Sequence, residues 1–374
     1  MTEAVDLRVG LDVRGLRVLV VGGSGAALRR VGALRAAGAA VTVVAGTVVA
    51  AIEDLAHRRQ LDWLPRDYTP SDLDGAWLVM TCTGRPLIDA AVAADARKRR
   101  IFCVGAEDDS RSKPPQSAAH RDEKQPVPRG GRVVLVGGGP GDPGLITVKG
   151  MRALAEADVI VVDRLAPLAV LDGLPEGVEI IDVSKVPRGR FTPQDQINDI
   201  LIDRARRGRT VIRLKGGDPY VFGRGMEESQ ACAAAGVPVD VVPGVTSAIS
   251  VPALAGIPVT HRGISQGFTV VSGHVPPGDR RSTLNWGALA RSGTTLVILM
   301  GVETLPATVA TLLAQGRAVG TPLACMMDGG LTTQRVVAST LGQVAASGVP
   351  AGLQPPAVVV IGEVVKLTTA PVVR

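Results

Sequence analysis

The chain has 374 residues, which is too long for one ordinary hydrophobic core and predicts two or three domains. Hydrophobic residues make up 46% and aromatic residues only 2%, so the cores must be built from Ala, Val, Leu and Ile, as in buried parallel strands covered by helices. The formal net charge is +6, and with so few aromatic side chains to stack on bases this charge favours a polyanionic small molecule over nucleic acid.

Cysteine spacing and apolar runs indicate the cellular setting. The four cysteines lie far apart without a C-x-x-C pair, which argues for free thiols and against a zinc site or disulfide framework. The N-terminus MTEAVDLRVG lacks the basic start and apolar core of a signal peptide. The longest apolar run, at 41–52, is shorter than the ~18–20 residues of a membrane helix. We therefore expect a cytoplasmic protein with no metal and no membrane contact.

The first section, residues 1–110, alternates strand and helix patterns. LRVLVVGG at 16–23 predicts a buried strand, ALRRVGALRAAG at 27–38 a helix that ends at glycine, and AVTVVAG at 40–46 a second strand. AWLVMTCT and RIFCVGA predict two later strands. This order predicts a Rossmann-type parallel unit. Residues 111–131 contain four prolines and many charges, which predicts a linker.

Two further α/β sections follow. Residues 132–244 carry three glycine-rich strand exits, GGGPGDPG, KGGDPYVFGRG and PGVTS. Residues 245–374 hold predicted strands at FTVVSG, TTLVILM, PLACMM, QRVVAS and AVVVIG. The sequence therefore predicts an α/β fold with an N-terminal Rossmann-like domain, a linker and a two-lobed α/β domain.

The loop GGGPGDPG is unsuited to a phosphate. Pro140 and Pro143 have no N–H group to donate, and Asp142 places a carboxylate where an anion would lie. KGGDP repeats the arrangement with Asp218. Loops of this kind suit a cationic ligand without phosphate, such as S-adenosylmethionine. The alternative is that both G-D-P segments are tight turns in which Asp caps the following helix.

The N-terminal loop VVGGSGAALRR has a different chemistry. Gly23 and Gly25 supply two glycines of a dinucleotide-binding turn, but Leu28 stands at the third position. The acidic residue that would bind a ribose hydroxyl is missing, since the second strand ends in Ala45, Gly46 and Thr47. The loop is either a dinucleotide site or a Rossmann-like turn whose site is vestigial.

Several long blocks resemble the uroporphyrinogen-III C-methyltransferases. They are VVLVGGGPGDPGLITVKG, VVDRL, RLKGGDPYVFGRGMEE, VVPGVTSAISVPALAGIPVTHRG and VVSGH, spread over residues 133–365. The first section resembles, through VLVVGGSG, GAAVTVV and RRIFCV, the precorrin-2 dehydrogenase module of siroheme synthases. The resemblance implies two successive methyl transfers from S-adenosylmethionine to uroporphyrinogen III, giving precorrin-2 for siroheme or cobalamin, in a homodimer.

The resemblance also implies roles for individual residues. In VVDRL, Asp163 corresponds to the family's proton acceptor, and in DVSKVPRGR, Lys185 corresponds to its proton donor. Without the resemblance, Asp163 would be interpreted as a helix cap and Lys185 as a surface cation. The implied S-adenosylmethionine contacts are Pro140, Gly216, Gly217, Asp218, Val221, Thr246, Ser247, Met300 and Gly329. The implied NAD contacts are Gly25, Ala26, Gly46 and Thr47.

Uroporphyrinogen III carries eight carboxylates, so a cationic cleft is expected. Basic residues in or beside the blocks are Arg188, Arg190, Arg213, Lys215, Arg224, His261 and Arg262. As a set they predict substrate contacts, although any one of them alone is more typical of a solvated surface charge.

The first section departs from the dehydrogenase pattern. TCTGRP at 81–86 lacks the family's acidic stretch, and RIFCVGA is followed by Glu107 and then Asp108 and Asp109, so the expected Asp is either displaced or replaced. Three hypotheses result: a methyltransferase with a degenerate N-terminal module, a multifunctional siroheme synthase that also oxidises precorrin-2 with NAD and inserts iron, or a module that only binds product or partner.

Overall fold

The computed structural model describes residues 10–105, 130–175, 177–184 and 192–368. By its internal contacts the chain divides into two compact units. The first comprises Met1–Val133, Leu154–Arg164 and Leu168–Ile212, and the second comprises Val134–Ala153, Leu165–Pro167 and Arg213–Arg374. Most of the expected linker at 111–131 lies outside the described residues, so the predicted division into four sections stays a prediction.

The N-terminal sheet has five strands, all parallel to their neighbours. Its strand order, β3-β2-β1-β4-β5, is that of doubly wound Rossmann folds, so the predicted Rossmann-type unit is confirmed. Among these strands only β3 was not predicted from the sequence, because three residues are too few to show a period of two. The elements are β1 (Arg17–Val21), α1 (Gly25–Ala36), β2 (Ala40–Val44), α2 (Ala50–His57), β3 (Asp62–Leu64), β4 (Leu78–Thr81), α3 (Pro86–Lys98) and β5 (Phe102–Gly105).

The second sheet has the strand order β10-β6-β9-β7-β8, and the pair β7–β8 is parallel. The three central strands β6, β9 and β7 are almost entirely buried on both faces, as their short apolar runs predict, whereas the edge strands β10 and β8 are partly exposed. The elements are β6 (Arg132–Gly137), α4 (Val148–Ala155), β7 (Val159–Val162), β8 (Glu179–Asp182), α5 (Gln194–Arg206), β9 (Thr210–Lys215), α6 (Gly225–Ala234), β10 (Val239–Val242) and α7 (Ser247–Leu254).

The third sheet is mixed, with the order β11-β12-β15-β13-β14. Only β11 and β12 run parallel, and the pairs β12–β15, β15–β13 and β13–β14 are antiparallel. All five strands predicted for this section are confirmed. The elements are β11 (Phe268–Ser272), α8 (Trp286–Arg291), β12 (Thr295–Leu299), α9 (Leu305–Ala314), β13 (Pro322–Met327), β14 (Arg335–Thr340), α10 (Leu341–Ser347) and β15 (Ala357–Ile361).

Apolar side chains cover both faces of the third sheet. On β13, Leu323 and Cys325 belong to one buried cluster, while Ala324 and Met326 belong to another. This alternation follows from the period of two along a strand. Burial raises the pKa of the Cys325 thiol to about 12, so the thiol stays protonated and acts as a small apolar side chain. No described helix combines the length and the apolar composition that crossing a membrane requires.

Leu19 on β1 provides a test of the N-terminal core. It is fully buried among Val21, Val44 and Val79, whereas Leu87 at the start of α3 is 88% exposed. We expect Leu19→Ala to lower the free energy of unfolding by about 2–5 kcal/mol, because it removes buried methyl groups and leaves a cavity. Leu87→Ala should change it by less than about 0.5 kcal/mol. Urea denaturation measures both, and similar losses in the two variants would contradict the described core.

Candidate functional site

The glycine-rich loops that leave β6 and β9 touch each other through their backbones. Gly139 and Gly217 form an antiparallel bridge, in which the N–H of Gly217 donates to the carbonyl of Gly139 at 2.7 Å and the reverse bond measures 3.2 Å. A Cβ placed on Gly137 would lie 2.7 Å from the carbonyl oxygen of Gly217, and one on Gly244 would lie 2.2 Å from the same oxygen. Three strand exits therefore converge at a point where no side chain fits.

Asp218 links two of these exits. Its Oδ1 accepts from the N–H of Tyr220 at 2.8 Å, and its Oδ2 accepts from the N–H of Gly244 at 3.1 Å. Asp142 acts locally, since its Oδ1 accepts from the N–H of Gly144 at 2.7 Å and caps the short 3-10 turn that follows. The capping interpretation of the G-D-P segment is therefore confirmed for Asp142, while Asp218 ties separate loops together and keeps further lone pairs.

A loop after β13 joins the same region. Gly330 has a φ of +81°, and a Cβ there would lie 3.1 Å from the backbone nitrogen of Asp142 and 3.3 Å from Cγ of Pro140. A Cβ on Gly141 would lie 3.4 Å from the carbonyl oxygen of Gly329. Residues about 190 positions apart in the sequence, Pro140 and Gly329, are thus brought close together, as their proposed common ligand requires.

The start of α7 completes this cluster of loops. Thr246 is the N-cap residue, and its Oγ1 accepts from the N–H of Ala248 at 3.4 Å. A Cβ on Gly217 would lie 3.6 Å from Oγ of Ser247 and 3.9 Å from Cα of Thr246. The residues Pro140, Gly217, Asp218, Thr246, Ser247 and Gly329, all chosen from the sequence, therefore lie on loops that contact one another.

Met300 and Val221 are held at the surface. Met300 directly follows β12 with a φ of +56°, which is unusual for a residue with a side chain, and its side chain is 51% exposed. The residue before it, Leu299, is held at the end of β12, because its carbonyl accepts from the N–H of Gly273 at 2.7 Å. Val221 is 36% exposed, and its N–H donates to the carbonyl of Asp218 at 3.3 Å. Neither side chain packs in a core. Without the resemblance, Met300 would have been interpreted as a core residue.

The two implied catalytic residues differ in what the structure describes. Asp163 follows β7 directly and is half-buried, so its carboxylate lies at the carboxyl end of a strand. Lys185, like Arg188 and Arg190, lies outside the described residues. Their catalytic and binding roles stay predictions. Within 10–105, 130–175, 177–184 and 192–368, no three His, Cys, Asp or Glu side chains gather in a way that could hold a metal ion.

Two of the predicted substrate cations are instead buried. Arg213 and Lys215 on β9 are 3% and 4% exposed, and both bind Glu228, which is fully buried. Arg213 Nε donates to Glu228 Oε1 at 3.1 Å, and Lys215 Nζ donates to the two carboxylate oxygens at 3.2 and 3.1 Å. The prediction that these cations hold substrate carboxylates is wrong, because a buried charge must be paired where it lies. Alternation along β9 places Arg213 and Lys215 on one face of a buried strand, and this spacing in the sequence is a signal that the two cations can share one partner.

The remaining described cations stay accessible. Arg224, in the left-handed region with a φ of +57°, binds Glu227 through a 2.7 Å contact, and this hydrogen bond raises the pKa of its guanidinium. His261 and Arg262 are exposed in the loop after α7. Of the seven predicted substrate cations, these three are the described ones whose side chains are exposed.

The N-terminal glycine loop is shaped largely by packing. A Cβ on Gly22, whose φ is +122°, would lie 2.3 Å from the carbonyl oxygen of Cys82, and one on Gly23 would lie 2.1 Å from that of Thr47. Ser24 is the N-cap residue of α1, but its side chain makes no capping bond to the helix, and its hydroxyl donates to the carbonyl of Cys82 at 3.4 Å. Ala26, Gly46 and Thr47 are exposed, so the described structure leaves three of the four implied NAD contacts accessible.

Comparison with known proteins identifies the two parts. The family model for tetrapyrrole (corrin/porphyrin) methylases matches residues 132–345, and one for a putative NAD(P)-binding family matches residues 9–113. An S-adenosyl-L-methionine-dependent uroporphyrinogen III methyltransferase of Methanosarcina barkeri is 46% identical over 63% of this chain and 93% of its own length. A siroheme synthase of Pseudomonas entomophila is 34% identical over 95% of each chain.

Two solved structures are also similar to this chain. Uroporphyrin-III C-methyltransferase of Thermus thermophilus, crystallised with S-adenosyl homocysteine, is 40% identical with a TM-score of 0.54, covering 63% of this chain and 100% of that one. A cobalt precorrin-4 methyltransferase, 23% identical over 64% of this chain and 98% of its own, shares the fold with a TM-score of 0.56. On these matches, and on the α/β lobes described above, the chain belongs to the tetrapyrrole methylase family and carries an N-terminal NAD(P)-binding module.

Proposed function

We propose that the chain is an S-adenosylmethionine-dependent uroporphyrinogen-III C-methyltransferase, which transfers two methyl groups to its substrate and forms precorrin-2 in siroheme or cobalamin biosynthesis. The observation that carries the proposal is the meeting of the β6, β9, β10 and β13 exits, where six residues chosen for cofactor contact lie on touching loops. Relatives whose names state this activity share 46% and 44% of their residues with the chain over 63% of its length.

The residues at this place fit a cofactor that has no phosphate. Pro140 offers no N–H group, and the close approach at Gly137 and Gly244 leaves backbone rather than cationic side chains on the loops. S-adenosylmethionine supplies a methyl group on a positively charged sulfur, together with an ammonium group. We assign its binding to Pro140, Gly216, Gly217, Asp218, Val221, Thr246, Ser247, Met300 and Gly329. Asp218 is the anionic member, and its two backbone hydrogen bonds of 2.8 and 3.1 Å fix its orientation.

The chemistry requires alignment and proton transfer. A pyrrole carbon of the substrate would bond to the methyl group as the methyl–sulfur bond breaks and S-adenosylhomocysteine leaves, so holding the two partners in line would supply much of the rate. We assign removal of the ring proton to Asp163, whose half-buried carboxylate follows β7, and proton donation to Lys185. Arg224, His261 and Arg262, with Arg188 and Arg190, are the proposed contacts of the substrate carboxylates.

For the N-terminal module we propose weak dinucleotide binding and no effective dehydrogenase activity. The module retains the Rossmann sheet, but the ribose-binding acid is absent and Glu107 stands where the family has Asp. A second candidate is a multifunctional siroheme synthase that oxidises precorrin-2 with NAD and inserts iron. The match to a siroheme synthase over 95% of both chains favours this candidate. We propose a homodimer in either case.

Ligand-induced stabilisation tests the cofactor assignment. S-adenosylhomocysteine at 100 times its Kd should stabilise the folded chain by about 2.7 kcal/mol, since it binds only the native state. The measurement is the Tm from differential scanning fluorimetry with increasing ligand. ATP at the same concentrations serves as the control, because the prolines and carboxylates of these loops disfavour phosphate. An ATP shift equal to that of S-adenosylhomocysteine would contradict the assignment.

Asp163→Asn tests the proposed base. The amide has nearly the same shape as the carboxylate but cannot accept the proton, so we expect kcat to fall by ~10²–10⁴-fold with little change in cofactor Kd. Product formation is followed by mass spectrometry after incubation with uroporphyrinogen III and S-adenosylmethionine. Asp199→Asn, an exposed residue on α5, is the matched control and should leave kcat unchanged. An Asp163→Asn enzyme with normal kcat would return Asp163 to a structural role.

A third measurement concerns the dehydrogenase. With precorrin-2 and NAD supplied to the full chain, we expect no NADH absorbance above the uncatalysed rate, because displacing a base by about 1 Å can cost ~10²-fold. Precorrin-2 formed by the methylase should then accumulate. Rapid NADH formation that Glu107→Ala abolishes would instead establish a working dehydrogenase in the N-terminal module.

A further inference from the structure

Helix α1 of the NAD(P)-binding module presents a face of glycines to the methylase. Gly25 and Gly32 are seven residues apart, which places them two turns apart on one side of the helix. A Cβ on Gly32 would lie 2.6 Å from the carbonyl oxygen of Leu168, and one on Gly25 would lie 2.9 Å from that of Ile180. Both carbonyls belong to the segment 132–345 that matches the methylase family. The two backbones therefore approach as closely as glycine permits.

Polar contacts hold the same face. Asp182, the last residue of β8, accepts from the N–H of Ala51 at 2.6 Å through Oδ2 and from the N–H of Ser184 at 3.0 Å through Oδ1. Ala51 is the second residue of α2, so a methylase carboxylate supplies the cap that the N-cap residue Val49 cannot. An anion at a helix N-terminus is also favoured by the helix dipole.

A buried carboxylate adds a second anchor. Asp54 on α2 is 3% exposed and accepts from Arg164 of the methylase at 3.1 Å. Nη1 of Arg30 on α1 lies 3.5 Å from Oδ1 of Asp172. All of these residues belong to one compact unit of the chain, so the docking face of the module, defined here as Gly25, Gly32, Ala51 and Asp54, is part of a single packed body.

The docking face includes a residue of the dinucleotide loop. Gly25 is both an implied NAD contact and the point where Ile180 touches α1. A dinucleotide pyrophosphate binds against the backbone at such a helix N-terminus. We propose that docking on β8 and dinucleotide binding oppose each other, so that the docked methylase strand restrains the module as an autoinhibitory contact and undocking raises its affinity for dinucleotide. This rests on the proposed assignment of Gly25 and Ala26 as dinucleotide contacts.

Three variants of the full chain test the coupling: Gly32→Ala, Asp182→Asn and the double variant. Within a helix alanine is preferred over glycine, so Gly32→Ala should favour α1 itself and disrupt only the contact with Leu168. Asp182→Asn keeps the shape but loses one acceptor. Gly287→Ala on α8, where the methyl would meet only the ends of the Gln315 and Arg291 side chains, and Asp195→Asn, exposed on α5, are matched controls.

Hydrogen exchange at the Ala51 amide reports docking, and fluorescence titration with NADH reports binding. We expect faster Ala51 exchange in the variants and NADH affinity about tenfold higher in the double variant, within the usual range of coupling between sites. The controls should match the unmodified chain in both readouts. Faster exchange with unchanged NADH affinity would overturn the coupling, and unchanged Ala51 exchange in the double variant would overturn the docking face.

A further substitution separates this proposal from the assignments it rests on. Ala26→Glu in the double variant places a carboxylate beside the pyrophosphate position and should abolish the gained NADH affinity. A gain that persists would locate the dinucleotide elsewhere and overturn the proposal together with the NAD assignment. Methylation of uroporphyrinogen III is measured in parallel and tests the methyltransferase assignment independently. If the unmodified chain does not methylate this substrate, the proposed function fails, and that result is distinct from an absence of coupling.

Discussion

The approach of backbone to backbone at glycine is the constraint on which the candidate site depends. At the exits of β6, β9 and β10, the carbonyl oxygen of Gly217 occupies space that a Cβ on Gly137 or Gly244 would need. Because these exits touch, a single carboxylate, Asp218, can bind amides of two loops. The glycines therefore do more than permit turns: they bring the loops close enough for short polar contacts to fix them.

The N-terminal module also has close backbone contacts at glycines, but there they join a helix to the methylase. In the methylase lobe, glycines bring strand exits into contact with one another, whereas along α1 they let a helix lie directly on carbonyl groups of the methylase. The glycine at position 25 illustrates how one residue type serves two ends. In a dinucleotide fold it allows phosphate to approach a helix N-terminus, and in this chain it also admits Ile180. A glycine pattern is therefore evidence of close approach before it is evidence of any particular ligand.

Buried charged side chains are likewise fixed by the contacts they make with one another. Arg213, Lys215 and Glu228 lie inside the methylase lobe, where the two cations share one carboxylate. Removing one partner from such a group leaves an unpaired buried charge, so the three side chains act as one structural element. The net charge of +6 thus includes cations that no ligand can reach, and the basic balance of the chain overstates the charge available to a polyanionic substrate.

The sequence by itself determined the fold class, most strands and the family. Apolar runs between glycine exits predicted β1, β2 and all five strands of the third sheet, because these segments are buried whatever their partners are. The loops of the candidate site were also predictable, since Pro140 and Gly217 lie within long signature blocks. Tertiary structure decided the rest. Arg213 and Lys215 proved buried, and Asp182 became a cap for α2, because burial and pairing depend on which segments meet in space, and a linear pattern does not specify such meetings.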